Sequence, residues 1–175
     1  MPILTEATDA VLTNTPNASI FETGLIGQPP DILNSLKRDH DLLKSLYQEF
    51  NATTSTCDRE RIAKEILKGV NIHSMIEELI FYPALRDCGS EKGQEYVRTS
   101  LMDHETVKSA LYELDVLLQD EGEFFQHSDL EENDVFIFFR KIYDDKKIAE
   151  LGRELDNMRK SEEAGDKDVI EEMVE

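Results

Sequence analysis

Apolar residues return along this chain with the period of an α-helix in four long stretches, separated by polar or turn-forming breaks. Ile32, Leu36, Leu43, Tyr47 and Phe50 share one stripe behind Pro29-Pro30-Asp31 and predict a first helix over 31–50. Past the polar stretch from Asn51 to Thr56, the positions Ile62, Ile66, Val70, Ile76 and Ile80 predict a second over 58–86, closed by Asp87-Cys88-Gly89-Ser90. Val97, Leu101, Val107, Leu111, Leu114 and Leu118 predict a third over 91–119. Asp120 followed by Glu123 has the spacing of a capping box, and Phe124, Val135, Phe138, Phe139 and Ile142 carry a fourth over 122–143. Ile148, Leu151 and Leu155 extend that helix or form a short fifth piece.

Four helices joined by short loops pack most simply as an all-α, up-down-up-down antiparallel four-helix bundle over 29–155. Residues 1–28 show no apolar period and are expected to form a flexible arm. From Arg153 onward nine acids and four bases dominate, so 156–175 is expected to be a disordered acidic tail.

Composition narrows the function. The 175 residues carry 38 Asp and Glu against 19 Lys and Arg, a formal charge of −19 that repels nucleic-acid phosphates and anionic membranes. No apolar run approaches the roughly 20 residues of a membrane span. Only Cys57 and Cys88 are present, about 45 Å apart if a single helix of about 1.5 Å per residue joins them, so a disulfide between them is excluded on that reading. Free thiols, with no Lys or Arg before Lys37 to make a targeting signal, favour a cytoplasmic location.

The polar residues inside the apolar stripes carry the chemistry. His40 falls between Leu36 and Leu43, His73 follows Val70 by three, His104 lies between Leu101 and Val107, and His127 follows Phe124 by three. Glu77 lies one turn beyond His73, and Glu131 one turn beyond His127. The segment His73-Ser-Met-Ile-Glu77-Glu78 returns 54 residues later as His127-Ser-Asp-Leu-Glu131-Glu132. A lone core histidine is ordinarily a structural hydrogen-bonding residue, but four of them with two buried carboxylates need a counter-charge. No Lys or Arg falls on these stripes at that level. Two divalent cations with the two carboxylates and a bridging hydroxide leave a residual charge of about +1, and imidazole with carboxylate suits iron, zinc or manganese. Glu78 and Glu132 are turned about 100° from their neighbours and are read as facing solvent or a helix interface. The phenylalanines at 136, 138 and 139 are read as core.

At these residues the sequence resembles the hemerythrin-like HHE cation-binding family. The matching pieces are Asp39-His40, His73 to Glu78 with Phe81-Tyr82-Pro83, Asp103-His104-Glu105, and His127 to Glu132 with Val135-Phe136. The resemblance covers roughly 30–145 and implies a bundle around a non-haem di-iron centre. Its members carry, sense or store oxygen or iron, or have no settled activity. By the same resemblance His40, His73, His104 and His127 are the imidazole ligands, and Glu77 and Glu131 the carboxylates that bridge the metals. Two departures stand out. Phe136-Ile137 replaces the aromatic-Pro step after the fourth-helix motif and bears on where that helix bends. Oxygen-carrying members use more histidines than the four here, which speaks against simple reversible oxygen carriage.

The expected function is binding of two non-haem iron ions, or of zinc or manganese, with O2 or iron as the species bound or sensed. An enzymatic role lacks any substrate-shaping motif. Glu-x-x-His, His-Glu-x-x-His, a phosphate loop and a nucleophile elbow are all absent. The competing reading is a bundle with a structural metal or none, acting through its acidic surface on a protein partner or as a homodimer.

Overall fold

The computed structural model describes residues 30–112 and 121–164. Every regular element among them is helical: α1 (Ile32–Ala52), α2 (Thr56–Ile76), α3 (Tyr82–Asp87), α4 (Glu91–Tyr112), α5 (Glu121–Leu130), α6 (Phe136–Ile142) and α7 (Asp145–Ala164). Glu77–Phe81 joins α2 to α3, and Glu131–Val135 joins α5 to α6, each as a single π-helical turn. The backbone stays in the right-handed helical region through both joints, so each pair forms one continuous rod.

The starts and stops follow local chemistry. Asp31 caps α1, its Oδ1 accepting from the Leu33 and Asn34 amides at 3.0 and 3.1 Å. Ser55 caps α2. Gly89, with φ of +69°, ends the second rod in the left-handed conformation that glycine adopts without steric penalty. The first two predicted helices agree with α1 and with the α2–α3 rod to within two residues. Residues 113–119 of the third, Asp120 of the capping box, the arm at 1–28 and 165–175 of the tail lie outside the described residues.

The π turns and α7 are where the structure departs from the apolar pattern. A π turn adds one residue to a helical turn, and no propensity rule flags it. Both begin at the glutamate of a His-x-x-x-Glu motif. The exchange of Tyr82-Pro83 for Phe136-Ile137 leaves the second turn at the matching place, so proline is not what makes it. Helix α7 runs on past Leu155 to Ala164, and the stretch 156–164, expected to lie in the acidic tail, is helical with Met158 and Arg159 buried. Apart from Arg159, its charged residues lie mostly on the outer face, while Ile148, Leu151, Leu155 and Met158 keep one apolar stripe against the bundle. Gly152 lets α7 touch the start of α1, since a Cβ there would lie 2.7 Å from the Asp31 nitrogen and 2.9 Å from the Pro30 carbonyl carbon.

The buried apolar residues form two clusters with a polar band between them. One gathers Ile32, Leu36, Ile76, Phe81, Val97, Val135 and Phe139 with the stripe of α7. The other gathers Leu43, Phe50, Ile62, Val70, Val107 and Phe124. In sequence, α1 and α4 pass from the first cluster to the second, whereas the rods α2–α3 and α5–α6 pass from the second to the first. All four histidines fall where their rods cross the band. No helix among the described residues is long and apolar enough to cross a membrane.

Candidate metal centre

His40, His73, Glu77, His104, His127 and Glu131 are all buried, and the structure brings all six together. The Nε2 atoms of His40 and His73 lie 3.1 Å apart, and those of His104 and His127 3.3 Å apart. Glu77 stands between the two pairs, with Oε2 3.2 Å from His73 Nε2 and 3.1 Å from His104 Nε2. Glu131 Oε2 lies 3.6 Å from His40 Nε2 and 3.8 Å from His127 Nε2. His127, six residues into α5, is therefore level with the other three.

The outward ring nitrogens are organised as well. His73 Nδ1 faces Asp39 Oδ2 at 3.5 Å, His104 Nδ1 faces Glu78 Oε1 at 2.8 Å, His127 Nδ1 faces Asp103 Oδ2 at 3.6 Å, and His40 Nδ1 faces Glu132 Oε1 at 3.2 Å. Each carboxylate comes from the rod that precedes the histidine's own, and the fourth rod returns to the first. The ring closes on itself. Glu78 and Glu132, read from the sequence as facing solvent or a helix interface, lie at such interfaces, where they are the partners of His104 and His40. Neighbouring residues on a helix point about 100° apart, so Glu77 and Glu131 point inward while Glu78 and Glu132 reach sideways to the adjoining rod.

Tyr82 is the residue that the sequence reading passed over. It lies five residues beyond Glu77, one π turn on, and its hydroxyl is 3.0 Å from Glu131 Oε1, 3.3 Å from Glu77 Oε2 and 3.1 Å from His104 Nε2. Ser100 Oγ also donates to Glu131 Oε1, at 3.3 Å. The signal available in the sequence was the 54-residue repeat, which pairs Tyr82 with Phe136 and leaves a hydroxyl on one side only.

Charge in the cluster is uneven. Burial lowers the His40 pKa to about 4, against the opposing pull of Glu132, so its ring is neutral near pH 7. The hydrogen bond with that ring, aided by Lys37, lowers Glu132 to about 2. A neutral His40 therefore donates Nδ1–H to Glu132 and turns the Nε2 lone pair inward. Burial, reinforced by the charge of Glu77, pushes Glu131 well above the usual carboxylate range. Burial opposes ionisation of Glu77 too, but His73, His104 and His127 outweigh it and hold it low. Two adjacent buried carboxylates thus hold their protons very differently. Burial also pushes the Tyr82 phenol up, as do Glu131 and Glu77.

The donor set fits a metal. Donors about 2.0–2.2 Å from a common ion lie roughly 3.0–3.4 Å from each other, the range of the shorter Nε2 and carboxylate separations here. Glu77 Oε1 and Glu131 Oε2 are buried and accept no hydrogen bond among the described residues, as carboxylate oxygens kept for a cation would be. One ligand atom from each of His40, His73, Glu77, His127 and Glu131 can be chosen so that all lie within 4.8 Å of one another.

The hemerythrin HHE cation-binding domain model matches residues 31–170. The chain belongs to this family. No curated protein and no solved structure matched it. The match covers every residue of the ring, and it extends through α7, so the fifth helix of this HHE domain falls within the matched region. The two cysteines of this HHE domain are unpaired, Cys57 exposed and Cys88 half-buried.

Proposed function

We propose that this HHE domain binds two non-haem iron ions, one beside His40 and His73 and the other beside His104 and His127, with Glu77 and Glu131 shared between them. The observation that carries this is the pair of buried carboxylate oxygens that accept no hydrogen bond among the described residues, beside four imidazoles whose outward nitrogens each face a carboxylate. A carboxylate hydrogen-bonded to Nδ1 of His40, His73 and His104 fixes those rings and makes their Nε2 the better donor, and Asp103 faces Nδ1 of His127 at 3.6 Å. Zinc and manganese suit the same ligand types, and the burial of all six ligand candidates favours a diatomic or ionic guest over an organic substrate. When bound, iron supplies redox chemistry and an affinity for O2. The protein's part is to hold the donors, exclude water and keep the Tyr82 hydroxyl close to Glu131. Binding or sensing of O2 or iron is the reading that follows. The order in which the rods pass the two apolar clusters supports an up-down-up-down antiparallel four-helix bundle as the frame, with α7 added to one end.

Metal content of the purified protein, loaded anaerobically with ferrous iron and then exposed to air, tests this. About two irons per chain, with ferric charge-transfer absorption in air, is the expected result. The variant with His127→Ala and Glu131→Gln should keep its helicity and hold about one iron fewer. A parent chain that takes up no metal overturns the proposal and favours an interaction module instead.

A further inference from the structure

We propose that Arg159 is a positioning residue of the metal centre, and that docking of α7 and metal loading are thereby coupled; the inference rests on the metal-binding reading above. Arg159 lies on α7, 120 residues beyond Asp39, and its Nη2 donates to Asp39 Oδ2. That same oxygen faces His73 Nδ1 at 3.5 Å. A continuous polar path therefore runs from the fifth helix through Asp39 to the inward-facing nitrogen of His73.

The four outer carboxylates differ in what supports them. Side-chain exposure is 16% for Glu132, 29% for Glu78 and 36% for Asp103, but 1% for Asp39. Water reaches the first three. Asp39 has no such access, so its charge depends on the buried guanidinium of Arg159, itself 2% exposed. Three things set the position of Arg159: the stripe Ile148, Leu151, Leu155 and Met158 in the core, the close approach at Gly152, and the ion pair itself. If α7 leaves, Asp39 loses its counter-charge, His73 loses its support, and the first metal position loosens. Linkage requires the converse by the same factor: a cation that fixes His73 must tighten α7. Among the described residues no buried cation backs Asp103, so the coupling belongs to one half of the ring.

The test uses Zn2+ as a redox-silent probe, titrated by calorimetry into the full chain, with amide hydrogen exchange read over 145–164. In the parent, saturation with Zn2+ should slow exchange in α7. Arg159→Met should weaken Zn2+ binding about 10- to 100-fold, the range for loss of an outer support, and metal should no longer slow α7 although α2 remains protected. Arg159→Lys, which keeps the charge, should restore part of the affinity. Asp39→Asn should lose as much as Arg159→Met, and the double variant no more than either. A merely structural ion pair predicts lower stability with unchanged affinity of the folded protein, and that result overturns the proposal. Should Arg159→Met fail to fold, Arg159→Lys and Asp39→Asn decide it by the same readouts. Zn2+ binding by the parent that is matched within twofold by these variants overturns this inference alone, whereas a parent that binds no metal overturns both readings.

Discussion

Tyr82 and Phe136 occupy matching places, each five residues beyond a buried glutamate and just past a π turn, yet only Tyr82 brings a hydroxyl into the cluster. Phe136 lies parallel to the ring of His40, 6.0 Å between centroids and 4° between planes. The two halves of the centre repeat in their histidines and carboxylates, and the Tyr82 hydroxyl is one of the polar groups by which they differ, beside Ser100 at Glu131 and Arg159 at Asp39.

Tyr82→Phe removes that difference while keeping the ring. Glu131 Oε1 then retains only Ser100 as a donor, and the metal-free protein should lose about 1–2 kcal/mol of stability, the worth of a buried hydrogen bond to a carboxyl group. Urea unfolding monitored by circular dichroism measures this. A loss below about 0.3 kcal/mol would mean that the hydroxyl contributes little to holding Glu131.

Glu77 and Glu78 are neighbours with separate tasks. Glu77→Gln should nearly abolish binding of the second metal ion, since it removes the shared charge. Glu78→Ala should weaken binding about 10-fold by freeing the His104 ring. Calorimetric titration with Zn2+ ranks the two, and an unchanged affinity in Glu78→Ala would show that the 2.8 Å contact with His104 does not orient the ring.

His40 gives the metal-free protein a defined pH response. Its pKa is lowered from 6.5 to about 4 by burial, so the unfolded chain takes up this proton before the folded one does. The stability that His40 contributes is complete above about pH 6.5 and is lost as pH falls from there through 4. Nuclear magnetic resonance titration of the imidazole protons should find one ring still neutral at pH 5.

Metal uptake should release protons. The His127 pKa is raised well above its ordinary value, because Glu131, Asp103 and Glu77 together outweigh the burial that opposes protonation. Burial likewise opposes protonation of His104, but hydrogen bonds with Glu77 and Glu78 raise it, and Glu131 is raised by burial. A cation needs these groups deprotonated, so affinity should climb with pH through neutrality. Binding enthalpies measured in two buffers of different ionisation heat should differ by a proton or more per chain, and equal enthalpies would contradict the assignment.

Gly152→Ala places a methyl group 2.7 Å from the Asp31 backbone nitrogen, which has no flexible side chain to yield. The helix must shift, at about 1–3 kcal/mol. A fall in Tm with faster exchange in α7 checks this, and an unchanged Tm would show that α7 docks more loosely than described.

Much of the centre was legible because its ligands sit inside apolar stripes. His40 between Leu36 and Leu43 can only point inward on a helix, and the repeated His-x-x-x-Glu sets two more pairs on the same face. What escaped has physical reasons. A π turn leaves no mark in a 3.6-residue apolar period, so neither the two turns nor the approach of Tyr82 to Glu131 could be read from it. Helix α7 was obscured by its charges, although Ile148, Leu151, Leu155 and Met158 keep helical spacing. Arg159 was invisible as a partner of Asp39 because nothing local joins residues so far apart in the chain. The doubled Asp-His at 39–40 and 103–104 was the clue to the outer carboxylates, since an acid preceding each histidine lies on the adjoining face.

The closed ring of carboxylates also bears on how such a centre can be divided. The first two rods hold Asp39 against His73 between themselves, offer Glu78 outward and leave His40 awaiting an acid. The last two repeat this arrangement with Asp103, His127, Glu132 and His104. Either hairpin is therefore a plug and a socket for its counterpart, and two copies of one hairpin would meet the same requirement. A chain that carries both in tandem can differ between its halves, as it does at Tyr82 and Phe136, without opening the circle.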